Sequence, residues 1–178
     1  HKLGANVIGF SLEEYYNDYI YQNAKLNKIL FADEKGDIND YNQLKAVFQK
    51  YQPEGVFHLA AQPLVRLSYD LPKETFQTNI LGTVNVLECI KKTPSVKMGV
   101  MVTTDKCYKN KETPKGYKEQ DELGGIDPYG SSKACAEIVI NSYRESFFKS
   151  SKKLVASARA GNVIGGGDLA TDRLIPDC

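Results

Sequence analysis

The chain has 178 residues, of which 42% are hydrophobic and 25% charged, enough to bury one core and about the size of one domain rather than two. Its 23 basic and 22 acidic residues are spread along the sequence and leave a formal charge of +1, so no field exists that would gather polyanions and nucleic acid is not an expected partner. Cys89, Cys107, Cys135 and Cys178 contain no CxxC pair and His1 and His58 complete no metal site, while no apolar run reaches the roughly 18 residues that span a bilayer; reduced thiols, no metal, no membrane and a cytoplasmic location are expected.

The first residue is His1, and residues 1–4 read as the last turn of a helix closed by Gly4. Residues 173–178 stop without a turn signal, so both ends are expected to be cut. Residues 6–10 predict a strand, 13–27 an ambiguous, partly helical stretch, and 28–32 a second strand. Leu44, Val47, Phe48 and Tyr51 follow at helical spacing. The run 55–61 (GVFHLAA) predicts a strand covered on both faces, and Phe76, Ile80, Val84, Leu87 and Ile90 form one stripe of a long helix over 72–92. Residues 98–103 predict the next strand. Asp127 and Pro128 supply an N-cap and a first-turn proline for a helix over 129–148, and 154–160 the last strand. Strands alternating with such helices imply an α/β fold with a doubly wound parallel sheet, whose ligands bind beyond the carboxyl ends of the strands, after Ala61, Thr103 and Ala160.

Tyr129 and Lys133 stand four apart on the helix, so they share a face with Cβ atoms about 5–6 Å apart. A phenol with an ordinary pKa of about 10 is a poor base, and a fixed ammonium favours its ionised form. Alone, the spacing more often marks a surface tyrosine with a solvated lysine; its place after the Asp127–Pro128 helix start, downstream of a strand ending in polar residues, reverses that preference. Thr104, Asp105 and Lys106 end the preceding strand and present a hydroxyl, an acid and an amine together, where a merely polar loop is the alternative.

Gly82-Thr83-Val84-Asn85-Val86-Leu87-Glu88, the strand end His58-Leu59-Ala60-Ala61-Gln62, Thr104-Asp105-Lys106, the motif from Tyr129 to Lys133 and the string RAGNVIGGGD (159–168) together resemble the extended short-chain dehydrogenase/reductases, in the family's order and spacing. Within that family HLAAQPLVR (58–66), DKCY (105–108) and the ending ARAGNVIGGGD followed by DRLIPD resemble the CDP-glucose 4,6-dehydratase branch.

The resemblance implies a Rossmann-like domain with a tightly held NAD that accepts a hydride from sugar C4 and returns it to C6, converting CDP-glucose to CDP-4-keto-6-deoxyglucose without net redox change. It implies Tyr129 as the base at the 4-hydroxyl, Lys133 as holder of the tyrosinate and the nicotinamide ribose, Thr104 as a hydrogen-bond partner of the same oxygen, and Asp105 as the acid at the 6-hydroxyl. Lys106 is either the C5 base, if burial and the Lys133 charge lower its pKa, or a group that orients Asp105 or substrate. Asp37 and Ile38 are assigned to the adenine, Ala60, Ala61 and Gln62 to the dinucleotide, Asn79 to the nicotinamide side, and Arg66 and Asn162 to the substrate. Asp37 also reads as a turn aspartate. Gly165-Gly166-Gly167 reads as a substrate-side turn, since it follows a late strand.

No glycine-rich GxxGxxG loop exists in the sequence. The chain is therefore expected to be part of a dinucleotide-binding domain without its first strand and most of its substrate-binding half, with two half-sheets, poor stability and no activity of its own; the intact protein is expected to be an enzyme and a homodimer. Another nucleotide-sugar 4,6-dehydratase, a 4-epimerase, or a non-catalytic dinucleotide-binding module are the alternatives. The pair Asp105–Lys106 counts against the epimerase, which needs no acid at C6.

Overall fold

A computed structural model of the protein describes residues 1–13, 21–22, 24–166 and 172. Strands β1 (Ile8–Ser11) and β2 (Ala32–Lys35) pair in parallel, with Ile8 opposite Ala32. β3 (Gly55–His58), β4 (Met98–Thr104) and β5 (Leu154–Ala160) form a second parallel sheet with β4 in the middle. Among the described residues no strand links the two sheets, so the expected division into two half-sheets is observed.

Between the strands lie α1 (Leu26–Ile29), α2 (Tyr41–Tyr51), α3 (Val65–Asp70), α4 (Pro72–Phe76), α5 (Gly82–Lys92) and α6 (Pro128–Tyr143). Asp40 caps α2 by accepting from Asn42 N and Gln43 N. The long helix expected over 72–92 is continuous but contains a π turn, Gln77–Leu81, between α4 and α5, and a second π turn, Arg144–Phe148, follows α6.

Two expectations are corrected. The second strand lies at Ala32–Lys35 rather than 28–32: the apolar run begins in α1, at Lys28 and Ile29, and meets the strand only at its last residue, Ala32, with Phe31, whose amide donates to Val7 O, as the entry. Among the described residues β3 is covered on one face only. The ladder puts Gly55, Met98 and Leu154 on one face and His58, Met101 and Ser157 on the other. The second face carries the core, where Leu87, Ile90, Met101, Ile140, Phe148 and Val155 pack with Leu44 and Phe48 of α2. The first leaves Phe57 64% and Leu154 76% exposed. Residues 14–20, most of the ambiguous stretch, and 167–171 and 173–178, with Gly167, Asp168 and Cys178, lie outside the described residues.

The end of α5 is closed by a side chain from another element. Lys153, just before β5, donates from Nζ to Ile90 O and Thr93 O, each at 2.5 Å, and to Lys91 O at 3.3 Å. Those carbonyls have no helical donor of their own, and a cation also suits the negative end of the helix dipole. Burial holds the Lys153 ammonium below its usual pKa. Lys153→Met keeps the aliphatic stem and deletes the donors; it is expected to destabilise the protein by about 1–2 kcal/mol, read as a lower urea midpoint at unchanged m-value.

Candidate active site

The carboxyl end of β4 is where the chemistry-bearing residues meet. Thr104 is its last residue, buried, and caps the 3₁₀ turn Asp105–Cys107: its hydroxyl donates to Asp105 Oδ1 at 3.1 Å and accepts from Lys106 N at 3.4 Å. Asp105 and Lys106 face each other at 3.7 Å with side chains 55% and 42% exposed. The burial invoked to tune Lys106 is therefore absent among the described residues. In register, Thr104 lies beside Ala160 of β5, and a Cβ added at Gly161 would stand 3.6 Å from Asp105 Oδ2, so the DKCY and RAGN strings converge.

Helix α6 docks its first turn on this turn. Asp127 caps it through Gly130 N at 2.8 Å, with Pro128 in the first helical turn, as the sequence predicts. Close approach is what makes Gly130 obligatory: a Cβ there would come within 2.8 Å of Lys106 O, and one at Gly125 within 2.2 Å of the Gly130 carbonyl carbon. Tyr129 is buried at this junction, its amide donating to Ser68 Oγ at 3.2 Å. Lys133, four residues on and also buried, points Nζ at Val102 O at 3.5 Å. Burial draws its ammonium down to about 8 against the opposing pull of Glu137. The Thr104–Asp105–Lys106 turn and the start of the Tyr129–Lys133 helix thus lie side by side.

Several assigned residues are engaged in building the site. Asn79, in the π turn, is fully occupied: Oδ1 accepts from Gln62 N at 2.9 Å, and Nδ2 donates to Gln62 O at 3.1 Å and Ser132 Oγ at 2.8 Å. Gln62 spends its own amide on Thr75 Oγ1, Leu64 O and Leu64 N. The Ala60–Ala61–Gln62 loop after β3 is thus clamped to the helix behind it, and through Ser132, which donates to Tyr129 O at 2.7 Å, to the tyrosine's own backbone. Arg66 is 82% exposed and pairs with Asp172 at 2.8 Å, and Asn162 is exposed beyond β5.

The turn after β2 fits the adenine end of a dinucleotide. Asp37 Oδ1 accepts from Asn39 N at 2.8 Å, the turn geometry its alternative reading predicts, while Asn39 Oδ1 is buried without a hydrogen-bond partner among the described residues and would suit an amino donor. Ile38 is buried against α5, where a Cβ at Gly82 would lie 2.5 Å from Ile38 Cδ1.

Residues not anticipated from the sequence include Ser68, Thr83, Ser132, Glu137 and Arg159. Thr83, Ser132 and Arg159 lie inside the quoted motifs and Glu137 lies four residues past Lys133, but nothing in those strings marked them as structural partners of the site; Ser68 carried no signal. The thiols of Cys89 and Cys107 are pushed up to about 11 by burial and are unsuited to nucleophilic work. No group of three or more metal-ligating side chains exists among the described residues, and no helix there is long and apolar enough to cross a membrane.

His58, at the end of β3, is buried with Nε2 3.1 Å from Thr83 Oγ1. That hydroxyl gives its one proton to Asn79 O at 2.7 Å, so it accepts from His58 and the proton sits on Nε2. Burial, aided by the Lys133 charge, lowers the imidazole pKa to about 4. Folding therefore favours neutral His58: the contribution is complete above the ordinary value of 6.5 and is lost as pH falls from 6.5 to about 4. It amounts to about 3 kcal/mol at most. Urea midpoints measured across that window are expected to fall steeply for the parent protein and to flatten in His58→Gln.

The family described as GDP-mannose 4,6 dehydratase matches residues 4–158. CDP-glucose 4,6-dehydratase of Salmonella typhimurium is 46% identical over 99% of this chain and 50% of its own length. The crystal structure of dTDP-glucose 4,6-dehydratase from Bacillus anthracis in complex with NAD superposes with a TM-score of 0.78 at 26% identity, over 98% of this chain and 51% of that one. UDP-glucose 4-epimerase from Thermotoga maritima, with UDP-glucose, gives 0.77 at 26% identity, over 92% and 50%. The chain spans about half the length of the relatives it matches. With the profile matched over most of its length and the parallel α/β fold shared with these structures, the chain belongs to the GDP-mannose 4,6 dehydratase family.

Proposed function

We propose that the protein to which this chain belongs is an NAD-dependent lyase that dehydrates CDP-glucose to CDP-4-keto-6-deoxyglucose. The observation that carries the proposal is the docking of the Thr104–Asp105–Lys106 turn on the first turn of α6, with Lys106 O against Gly130 and Tyr129 buried at the seam. The high identity to the Salmonella enzyme supports CDP-glucose among nucleotide sugars.

When bound, NAD supplies reversible oxidation at sugar C4, leaving no net redox change in the product. Asp37, Ile38 and Asn39 would hold its adenine end, and the clamped 60–62 loop would shape its path. Tyr129 takes the proton of the 4-hydroxyl. The Lys133 ammonium, with a pKa of about 8, is largely protonated at neutral pH and favours the tyrosinate. Thr104 hydrogen-bonds the same sugar oxygen. A 4-keto group acidifies the C5 hydrogen, and Asp105 protonates the departing 6-hydroxyl. Because Lys106 is exposed, its service as a base at C5 requires that substrate cover it; its 3.7 Å pairing with Asp105 equally suits orientation of that acid. Arg66 and Asn162 are proposed contacts to the substrate's nucleotide diphosphate side.

We also infer a cytoplasmic homodimer. Support for the dimer comes from the apolar residues Leu81, Ile138 and Phe147, exposed along the two long helices, and light scattering of the full-length protein tests it.

The decisive experiment offers the full-length gene product CDP-glucose and a panel of other nucleotide glucoses, following the 4-keto-6-deoxy product by its absorbance in alkali. Selective turnover of CDP-glucose is expected, with kcat reduced about 10²–10⁴-fold in Tyr129→Phe. Turnover of another nucleotide sugar would keep the mechanism and change the substrate. Epimerised sugar as the product, or no turnover with NAD bound, would overturn the proposal.

A further inference from the structure

Asp105 and Lys106 are exposed, and their mutual ion pair, at 3.7 Å and open to water, is too weak to fix either side chain. What holds their turn lies behind it. Glu137, one helical turn beyond Lys133 on α6, is 4% exposed. Its carboxylate accepts from Thr103 Oγ1, from Ser157 Oγ at 3.0 Å and from Arg159 Nη2 at 2.8 Å. Burial pushes the Glu137 carboxyl up, but the bonds from Arg159, Thr103 and Ser157 together hold it below the usual carboxylate range.

Arg159 spends its other amino group on the far side. Nη1 donates to Tyr108 OH at 2.9 Å and to Glu119 O at 3.0 Å, and the guanidinium carbon lies 4.9 Å from the Tyr108 ring centroid. Tyr108 immediately follows the 3₁₀ turn, and its amide donates to Asp105 O at 3.2 Å. Its ring stacks on Tyr117 with centroids 5.0 Å apart. Its backbone forms an antiparallel bridge with Leu123, and Gly124 N donates to Cys107 O at 2.9 Å. The buried carboxylate on α6 is thus linked through one guanidinium to the residue from which the Asp105–Lys106 turn hangs.

We propose that Glu137, Arg159 and Tyr108 form a positioning chain that sets the Asp105–Lys106 turn against the Tyr129–Lys133 face of α6. The role assigned to the turn rests on the dehydratase reading. None of the three is assigned to the sugar or the dinucleotide; they act through the turn. Removal of water across C5 and C6 passes the C5 proton to a base, for which Lys106 is the candidate, turns the C5–H electron pair into the C5–C6 double bond, and expels the C6 oxygen as water carrying the proton from Asp105. That step depends on where the turn stands. Oxidation at C4 depends on Tyr129 and Lys133, which are anchored separately through Ser68, Ser132 and Val102, and on Thr104, which is held in strand β4 itself.

Tyr108→Phe deletes one bond of the chain and keeps the ring; Arg159→Lys keeps the charge and loses the fork. In hydrogen–deuterium exchange of the substrate-free, full-length protein, both are expected to quicken the amides of 105–108 about fivefold to tenfold and to leave 129–133 unchanged. During turnover of CDP-glucose, kcat is expected to fall about tenfold to a hundredfold with KM within about twofold, and reduced nicotinamide to build up because C4 oxidation outruns loss of water. Exchange that is unchanged at 105–108, or quickened equally at 129–133, overturns the positioning chain, as does lost turnover without that build-up. A parent protein that does not turn over CDP-glucose overturns the dehydratase reading instead, and the exchange comparison, which needs no substrate, still decides whether the chain holds the turn.

Discussion

Lys133 and Glu137 stand one helical turn apart on α6, both buried beneath the carboxyl end of the same sheet, and the rest of the site is arranged around offsetting that burial. The two charges are not treated alike. Among the described residues Glu137 has three donors and is held ionised, whereas Lys133 has one long hydrogen bond, to Val102 O, and is drawn down to about 8. The carboxylate is structural and saturated. Among the described residues the ammonium is left with donors to give, which suits the role proposed for Lys133 of holding a phenolate and a ribose. One helix face thereby presents a tyrosine, an incompletely satisfied cation and a saturated anion in succession.

The polar core around that helix explains why the π turn at Gln77–Leu81 is tolerated. The wider turn carries Asn79, whose amide reaches both backbone groups of Gln62 and the hydroxyl of Ser132 at once. Thr83 then ties the Asn79 carbonyl to His58, so the end of β3, the helix over 72–92 and the first turn of α6 share one network in which few polar atoms are left to spare. The side-chain amides of Gln62 and Asn79 are committed to the protein itself, so in the proposed function they shape the dinucleotide path by fixing the loop.

Much of this was legible in the sequence where one physical signal dominated. The stripe ending in Leu87 and Ile90, the Asp127–Pro128 start of α6, and the strands β4 and β5 follow from periodicity and capping, and the motif residues meet where an α/β sheet must display them. Local signals failed where long-range pairing decides. An apolar run at 28–32 looks like a strand, yet the ladder with β1 begins at Ala32, and the charged Asp33-Glu34-Lys35 takes up the sheet because Glu34 is bound by Lys50 and Tyr51 of α2. The apolar Phe57 and Leu59 suggest burial on both sides, but which face is covered depends on helices from elsewhere in the chain. Arg159 and Tyr108 are 51 residues apart, and no spacing rule connects them.

The anchoring contacts fall into two groups with little overlap. Tyr129 and Lys133 are held from below by Ser68, Ser132, Asn79 and the β4 backbone, whereas Asp105 and Lys106 hang from Tyr108 and Arg159 on the side of β5. The two groups touch at the Lys106 carbonyl packed on Gly130 and at Glu137, which shares a helix with one and a guanidinium with the other. A reaction that oxidises one carbon and then eliminates across its neighbours needs two sets of groups at a fixed separation but with independent tuning. Here α6 supplies the fixed separation, because Tyr129, Lys133 and Glu137 move as one rigid element, and the loop over 108–123 supplies the independence. In the proposed reaction, changes in that loop can adjust the elimination groups for a different sugar nucleotide while the oxidising pair is left undisturbed, which is the arrangement a fold shared by dehydratases and epimerases would require.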